Sequence, residues 1–136
     1  MATRIPDNVR SAIVDAVTAK LNAGSGPGTV TIYTGSQPSS ANDTATGTQL
    51  AQFTLPDPAF PSASSGSADA NSISDTTGDA TGEAGWFRAR DSDGNTVIDG
   101  GAGADGSGAP MILDNVNIAE DQGVSIESWT ITMPAG

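Results

Sequence analysis

The segment DSDGN carries oxygen-bearing side chains at every second residue, a spacing that resembles the start of an EF-hand calcium loop. Such a loop continues with glycine at its sixth position and a bidentate carboxylate at its twelfth. Thr96 and Ala102 occupy those positions, so the sequence excludes an EF-hand. Two interpretations remain, a simpler cation site using Asp91, Asp93 and Asp99, or a tight turn with solvated carboxylates. We favour the turn.

Paired carboxylates could also do acid–base chemistry, as they do in glycosidases. The acidic residues of this chain fall mostly in loop-like segments. None has the aromatic surroundings that would bind a sugar and raise a carboxyl pKa. We therefore predict that the chain is not an enzyme and that it uses no cofactor.

Two of the five basic residues, Arg88 and Arg90, lie two positions apart in a strand-like segment. Alternation along a strand places them on the same face as Trp86, where an arginine can stack on the indole ring. They could pair with carboxylates of neighbouring strands. They could instead contact an acidic patch on a partner subunit, and the sequence leaves both interpretations open.

Composition narrows the function classes further. The 136 residues include 16 acidic and 5 basic ones, a net charge of −11, with no histidine and no cysteine. These absences exclude disulfides, zinc sites built from His or Cys, and nucleophiles activated by an imidazole. The acidic balance argues against contacts with nucleic acid phosphates, and no apolar run is long enough for a membrane helix or a secretory signal. We expect neither nucleic acid nor membrane as a direct partner.

The elements that position these residues are one helix followed by short strands. Pro6, Asp7 and Asn8 offer helix-capping groups, an apolar repeat of 3.6 residues follows, and Gly24 can end the helix. The apolar face of this helix could pack on the sheet, which we favour, or lie on a partner protein. The sequence Asp93–Gly94 predicts a hairpin turn. A glycine-rich loop is predicted over residues 100–108. Alternating apolar residues predict strands over residues 29–33, 50–55, 68–73, 85–90, 96–100, 111–118 and 124–133.

This order predicts a mainly β fold, an antiparallel β-sandwich or jelly-roll-like body with one N-terminal α-helix. We divide it into an N-terminal arm and amphipathic helix, residues 1–28, and a β-sandwich domain, residues 29–136, within one compact unit. A hydrophobic content of 36% predicts a modest core. The candidate core residues are Val9, Ile13, Val17, Leu21, Ile32, Leu50, Phe53, Phe60, Trp86, Phe87, Ile98, Ile112, Val116, Ile118, Ile126, Trp129 and Ile131.

Three segments carry distinctive patterns. Residues 79–101 read DATGEAGWFRARDSDGNTVIDGG, residues 50–60 read LAQFTLPDPAF, and residues 124–136 read VSIESWTITMPAG. Together they resemble a group of small structural proteins encoded among the head and tail genes of tailed bacteriophages. That group has an Ala-Thr-Gly-x-Ala-x-Trp-Phe-Arg strand, an Asp-Gly turn and a Phe/Ile-Asp-Gly ending. Trp129 stands where phenylalanine is more usual, and the resemblance covers roughly residues 29–134.

The resemblance implies a non-enzymatic virion structural protein. The role it favours is a capsid decoration (cement) protein, assembled in the host cytoplasm, that binds the outer surface of an HK97-like phage head and stabilises it. A minor tail or head–tail joining protein is the alternative, and a carbohydrate-binding β-sandwich module is an alternative from another class. The expected partners are the phage major capsid protein and neighbouring copies of the chain, among which a homotrimer is one arrangement. The candidate docking residues are the five basic ones, Arg4, Arg10, Lys20, Arg88 and Arg90.

Overall fold

The computed structural model describes residues 3–133 as one helix followed by ten short strands. Residues 1, 2 and 134–136, which belong to the predicted arm and closing segment, lie outside the described residues. The elements are α1 (Asp7–Leu21), β1 (Thr29–Thr34), β2 (Gln49–Thr54), β3 (Ser67–Asp69), β4 (Thr76–Thr77), β5 (Gly82–Arg90), β6 (Thr96–Gly103), β7 (Met111–Leu113), β8 (Asn117–Ile118), β9 (Gly123–Val124) and β10 (Ile126–Thr132).

Most strands belong to one curled sheet in the order β2-β1-β5-β6-β7-β10-β3, and β8 pairs with the first residues of β5. Strands β4 and β9 form a separate two-stranded sheet. Strand and bridge residues account for 39% of the described residues, which confirms the mainly β, sandwich-like fold with one N-terminal helix. One pair departs from the predicted antiparallel arrangement, because β6 and β7 run parallel.

The β5–β6 hairpin has the predicted turn, with Gly94 at a φ of 88° that glycine adopts readily. Strand β6 then continues to Gly103, so the prediction of a flexible loop from residue 100 is wrong for its first residues. Gly100 pairs with Phe87, and a Cβ at Gly100 would lie only 2.6 Å from a carbon of the Phe87 ring. This glycine therefore makes room for an aromatic side chain within a strand.

The C-terminal strands are shorter than predicted. The strand predicted over residues 111–118 is divided, because the side chains of Asp114 and Asn115 accept main-chain hydrogen bonds from Ser125 and Asn117 and end the ladder. Met111 and its second neighbour Leu113 are buried, whereas Ile112 is half-buried. The prediction placed Ile112 in the core, so the observed strand differs from it by one residue. A difference of one residue exchanges the two faces of a strand. The strand predicted over residues 68–73 is limited to β3.

Much of the predicted core is confirmed, although Trp86 is buried outside the main cluster. The predicted residues that are buried are Leu21, Ile32, Leu50, Phe53, Phe60, Trp86, Phe87, Ile118, Trp129 and Ile131. The half-buried ones are Ile13, Val17, Ile98, Ile112, Val116 and Ile126. The prediction is wrong for Val9, which is 40% exposed. Buried residues that the prediction missed include Val14, Val30, Leu55, Met111, Leu113 and Val124.

Helix α1 has the predicted bounds but packs through a different face. The prediction turned Val9, Ile13, Val17 and Leu21 inward. Leu21 is buried and Val17 packs against the core while half-buried, but the other buried residues of the helix are Val14 and Thr18. The predicted side-chain cap is also wrong, because Pro6 occupies the cap position and no side chain caps the first turn. No helix among residues 3–133 has the length and apolarity to cross a membrane.

Polar contacts explain this rotation of the helix. Ser11 Oγ accepts a hydrogen bond from the Gly66 N–H (2.9 Å), and Asp15 Oδ1 accepts one from the Ala63 N–H (2.7 Å). Both contacts satisfy main-chain donors of the segment that precedes β3, since a buried N–H without a partner is costly. They turn the Val14 face inward and leave the more apolar face uncovered.

We predict that substitutions on the two faces of α1 differ in their effect on stability. Val14→Ala removes buried methyl groups and should lower the free energy of unfolding by about 2 kcal/mol. The matched variant Val9→Ala removes the same atoms from an exposed position and should change it by less than about 0.5 kcal/mol. Urea unfolding of both variants measures the difference. Equal losses would contradict the observed rotation of the helix.

Candidate functional site

The three residues proposed as a cation site are engaged in separate contacts. Asp91 Oδ1 accepts hydrogen bonds from the main-chain N–H groups of Asp93 (3.0 Å) and Asn95 (2.9 Å). Asp99 instead contacts Arg88. Among residues 3–133, no group of three or more carboxylates has the geometry to hold a metal ion. The segment 91–95 is therefore the tight turn of the second interpretation.

The turn affects the titration of Asp91. The main-chain N–H of Asn95 is the principal donor to this carboxylate, and the Asn95 side chain and the N–H of Asp93 support it. These donors favour the charged form and lower the pKa of Asp91 below its ordinary value. The carboxylate thus acts as an acceptor that fixes the hairpin, and with it the alignment of β5 and β6.

The strongest polar contact in the sheet is a bidentate ion pair between β5 and β6. Arg88 Nε donates to Asp99 Oδ1 at 2.7 Å, and Arg88 Nη2 donates to Asp99 Oδ2 at 2.9 Å. The two residues are direct partners in the strand register, and each side chain is 4% exposed. The hydrogen bond to Asp99 raises the pKa of Arg88 above its ordinary value. Two opposite charges are thus held together away from solvent.

Aromatic and arginine side chains stack around this pair. Tyr33 and Trp86 stack with ring centroids 4.6 Å apart, and the Arg88 guanidinium lies 5.4 Å from the Trp86 centroid. Arg90 donates to the Tyr33 hydroxyl at 3.0 Å and to the Thr31 hydroxyl at 3.2 Å. The prediction that Trp86 and the two arginines share a face, with an arginine over the indole, is confirmed. The group forms an internal stack across β1 and β5.

Arg10 is also held within the fold. Its guanidinium pairs with Asp7 and donates to the main-chain carbonyl of Met133 at 3.0 Å. Of the two interpretations of Arg88, the structure shows the pairing with a carboxylate of the neighbouring strand, because its buried side chain is paired with Asp99. The Nη groups of Arg10 and Arg90 likewise donate to contacts inside the chain. Arg4 and Lys20 are the exposed basic residues.

The ratio of acidic to basic residues is consequently higher among the exposed residues than in the whole chain. Thirteen of the 16 acidic residues are exposed, compared with two of the five basic ones. Internal pairing removes cations from the surface while it leaves most carboxylates in contact with solvent. The exposed surface of residues 3–133 is therefore predominantly acidic.

The cavity that offers an apolar contact lies between α1 and the β5–β6 hairpin, and we call it the helix groove. Its volume is about 530 Å³. The helix contributes Ile13, Ala16, Val17 and Lys20, and the hairpin contributes Asp91, Asn95, Thr96 and Val97. The sequence favoured packing on the sheet for the helix side of this groove and left contact with a partner protein as the alternative, because an apolar stripe at helical spacing gives the same signal in both cases.

The apolar stripe continues beyond the groove. Val9 is the one exposed large apolar side chain among residues 3–133. Val9, Ile13, Ala16 and Lys20 follow one another at spacings of four, three and four, so they lie on one face of the helix. The face that was predicted to form core is therefore available for contact with another molecule.

Comparison with protein-family models, with curated proteins and with solved structures finds no match to this chain. The functional argument consequently depends on the residues and on their geometry.

We predict that Asp99→Asn strongly destabilises the fold. The substitution keeps the shape of the side chain but leaves the Arg88 guanidinium buried without its counter-charge, which should lower the free energy of unfolding by about 3–5 kcal/mol. The double variant Arg88→Met/Asp99→Leu removes both charges and should lose less. Asp105→Asn in the glycine-rich loop is the matched control. Urea unfolding that gave the same stability for both asparagine variants would contradict the buried pair.

We predict a pH-dependent contribution from Asp91. Because its pKa is lowered in the folded state, its carboxylate stabilises the fold above the unfolded-state value of about 4, and the contribution is lost as the pH falls through the folded-state pKa. The stability difference between wild type and Asp91→Asn should therefore shrink as the pH falls from about 6 to about 3. Thermal unfolding across that range measures it, with Asp105→Asn as control. A constant difference would contradict the prediction.

Proposed function

We propose that this chain is a non-enzymatic virion structural protein that decorates the outer surface of a tailed-phage head and stabilises it. The observation that carries the proposal is the place of the phage-like motif in the fold. The buried side chains of β5 include Trp86, Phe87 and Arg88. On the neighbouring strand β6, Gly100 is the partner of Phe87 and Asp99 is the partner of Arg88. The residues that resemble phage structural proteins thus build a framework, which supports a structural role.

The outward surface supports the same role. A decoration protein is present in many neighbouring copies, and a net charge of −11 carried mostly on exposed residues keeps free copies soluble and apart. The helix groove offers an apolar contact within this acidic surface. Modest contacts of this kind, repeated by the symmetry of a shell, add up to a large stabilisation.

A minor tail or head–tail joining protein would use the same features, so the location on the particle distinguishes it from a decoration protein. A carbohydrate-binding module has less support. Such modules bind sugars on accessible aromatic side chains. Trp86 and Trp129 are 0% and 1% exposed, and Trp129 packs edge-on against Phe60 and Phe87 in the core.

The experiment uses heads of the phage that encodes the chain, prepared with its gene deleted, and purified chain added back. We predict ordered density on the outer surface of the head in cryo-electron microscopy and DNA release at a temperature several degrees higher than without the chain. Density around local three-fold axes would identify the homotrimer arrangement. Heads with no added density and an unchanged release temperature would refute the decoration role. Density confined to the tail or the head–tail joint would establish the alternative.

A further inference from the structure

We infer that the helix groove binds a segment of the partner protein whose apolar side chains are flanked by lysine or arginine. The identity of that partner as a capsid subunit rests on the proposed function, whereas the chemistry of the docking segment follows from the groove itself. This reverses the polarity expected from the sequence, in which basic residues of this chain would meet an acidic patch. Apolar shape and charge argue for it separately.

The exposed face of α1 has a shape that can accept side chains of a partner. Val9, Ile13 and Ala16 form a stripe along α1, and Val97 supplies an apolar wall on the hairpin side. The small side chain of Ala16 at the centre leaves room for a partner side chain to enter the groove. A volume of about 530 Å³ accommodates several side chains of an amphipathic segment, which is how helices are recognised by apolar grooves.

Negative charge lies around the groove. Asp91 lies in its wall, and Asp93 is close to Gly24, just beyond the end of the helix. The C-terminal end of α1 adds the negative end of the helix dipole. Lys20 is the one basic residue in the lining. A partner segment with cations beside its apolar side chains gains attraction here, whereas an acidic segment is repelled.

The same charges disfavour a second copy of this chain as the occupant. Each copy carries −11, and Arg4 and Lys20 are its exposed cations. Pairing two copies through the groove would bring two acidic surfaces together with few compensating contacts. A basic partner removes that repulsion. The groove is thus suited to a partner of opposite charge.

The test uses three synthetic peptides of the same length as α1, added to the ¹⁵N-labelled full chain. The first has leucines at helical spacing flanked by lysines, the second has the same leucines flanked by glutamates, and the third is a scrambled form of the first. We expect the lysine peptide to shift the amide signals of the helix groove. The glutamate peptide should bind at least about tenfold more weakly, a difference of about 1.4 kcal/mol. The scrambled peptide should give small shifts that are spread over the acidic surface.

A matched pair of variants locates the contact. Ala16→Gln fills the centre of the groove without a change of charge and should weaken binding of the lysine peptide by at least about tenfold. Ala19→Gln makes the same change at an exposed position outside the lining and should leave binding unchanged. Unfolding curves of both variants confirm that they are folded.

Several results would overturn the inference. Equal affinity for the lysine and glutamate peptides would refute the role of charge. Shifts that are equally diffuse with the lysine peptide and with its scrambled form would refute binding in the helix groove. A dimer in sedimentation that Ala16→Gln abolishes would identify a second copy as the occupant.

Binding to heads separates this inference from the proposed function. If wild type and Ala16→Gln decorate heads equally well, the groove is not the docking site while the decoration role stands. If the lysine peptide occupies the groove but the chain binds no heads, the inference stands and the decoration role fails.

Discussion

The buried ion pair between Arg88 and Asp99 is the constraint on which the rest of the structure depends. Two charges inside a small sheet are tolerated only if each meets the other with good geometry. That geometry requires Arg88 and Asp99 to be opposite each other, so the turn opened by Asp91 must set the register of the hairpin. The same register places Gly100 against Phe87 in the core. On the other side of the sheet, the guanidinium covers Trp86.

The internal use of arginine determines the character of the surface. With five basic residues in all, each one held inside leaves the exterior more acidic. Arg88 is paired in the sheet, Arg90 binds the hydroxyl of Tyr33, and Arg10 anchors the helix to Met133. The low number of cations, which argues against contacts with nucleic acid, thus also makes the exposed surface of residues 3–133 predominantly acidic. The helix groove, where α1 meets the β5–β6 hairpin, exposes apolar side chains on this acidic surface.

The features that were predictable from sequence are those with local causes. The Asp93–Gly94 turn and the alternation of apolar residues predict the hairpin. The apolar period predicts the helix, whose last turn is closed by Asn22. The rotation of α1 was not predictable, because it depends on hydrogen bonds that Ser11 and Asp15 accept from main-chain N–H groups of a segment distant in the chain. For the same reason, the sequence did not distinguish a helix face that packs on the sheet from one that contacts a partner. An apolar stripe shows that a face will be covered, without showing by which molecule.

The most direct measurement of the central claim, that the arginines hold the fold together, is solvent exchange of their side-chain Nε–H groups. In ¹⁵N-resolved spectra at neutral pH, we predict that the Arg88 Nε–H gives a sharp signal that exchanges slowly, because it is buried and bound to Asp99. Arg4, which is exposed, should exchange rapidly under the same conditions. An Arg88 signal that exchanges as fast as that of Arg4 would contradict the account.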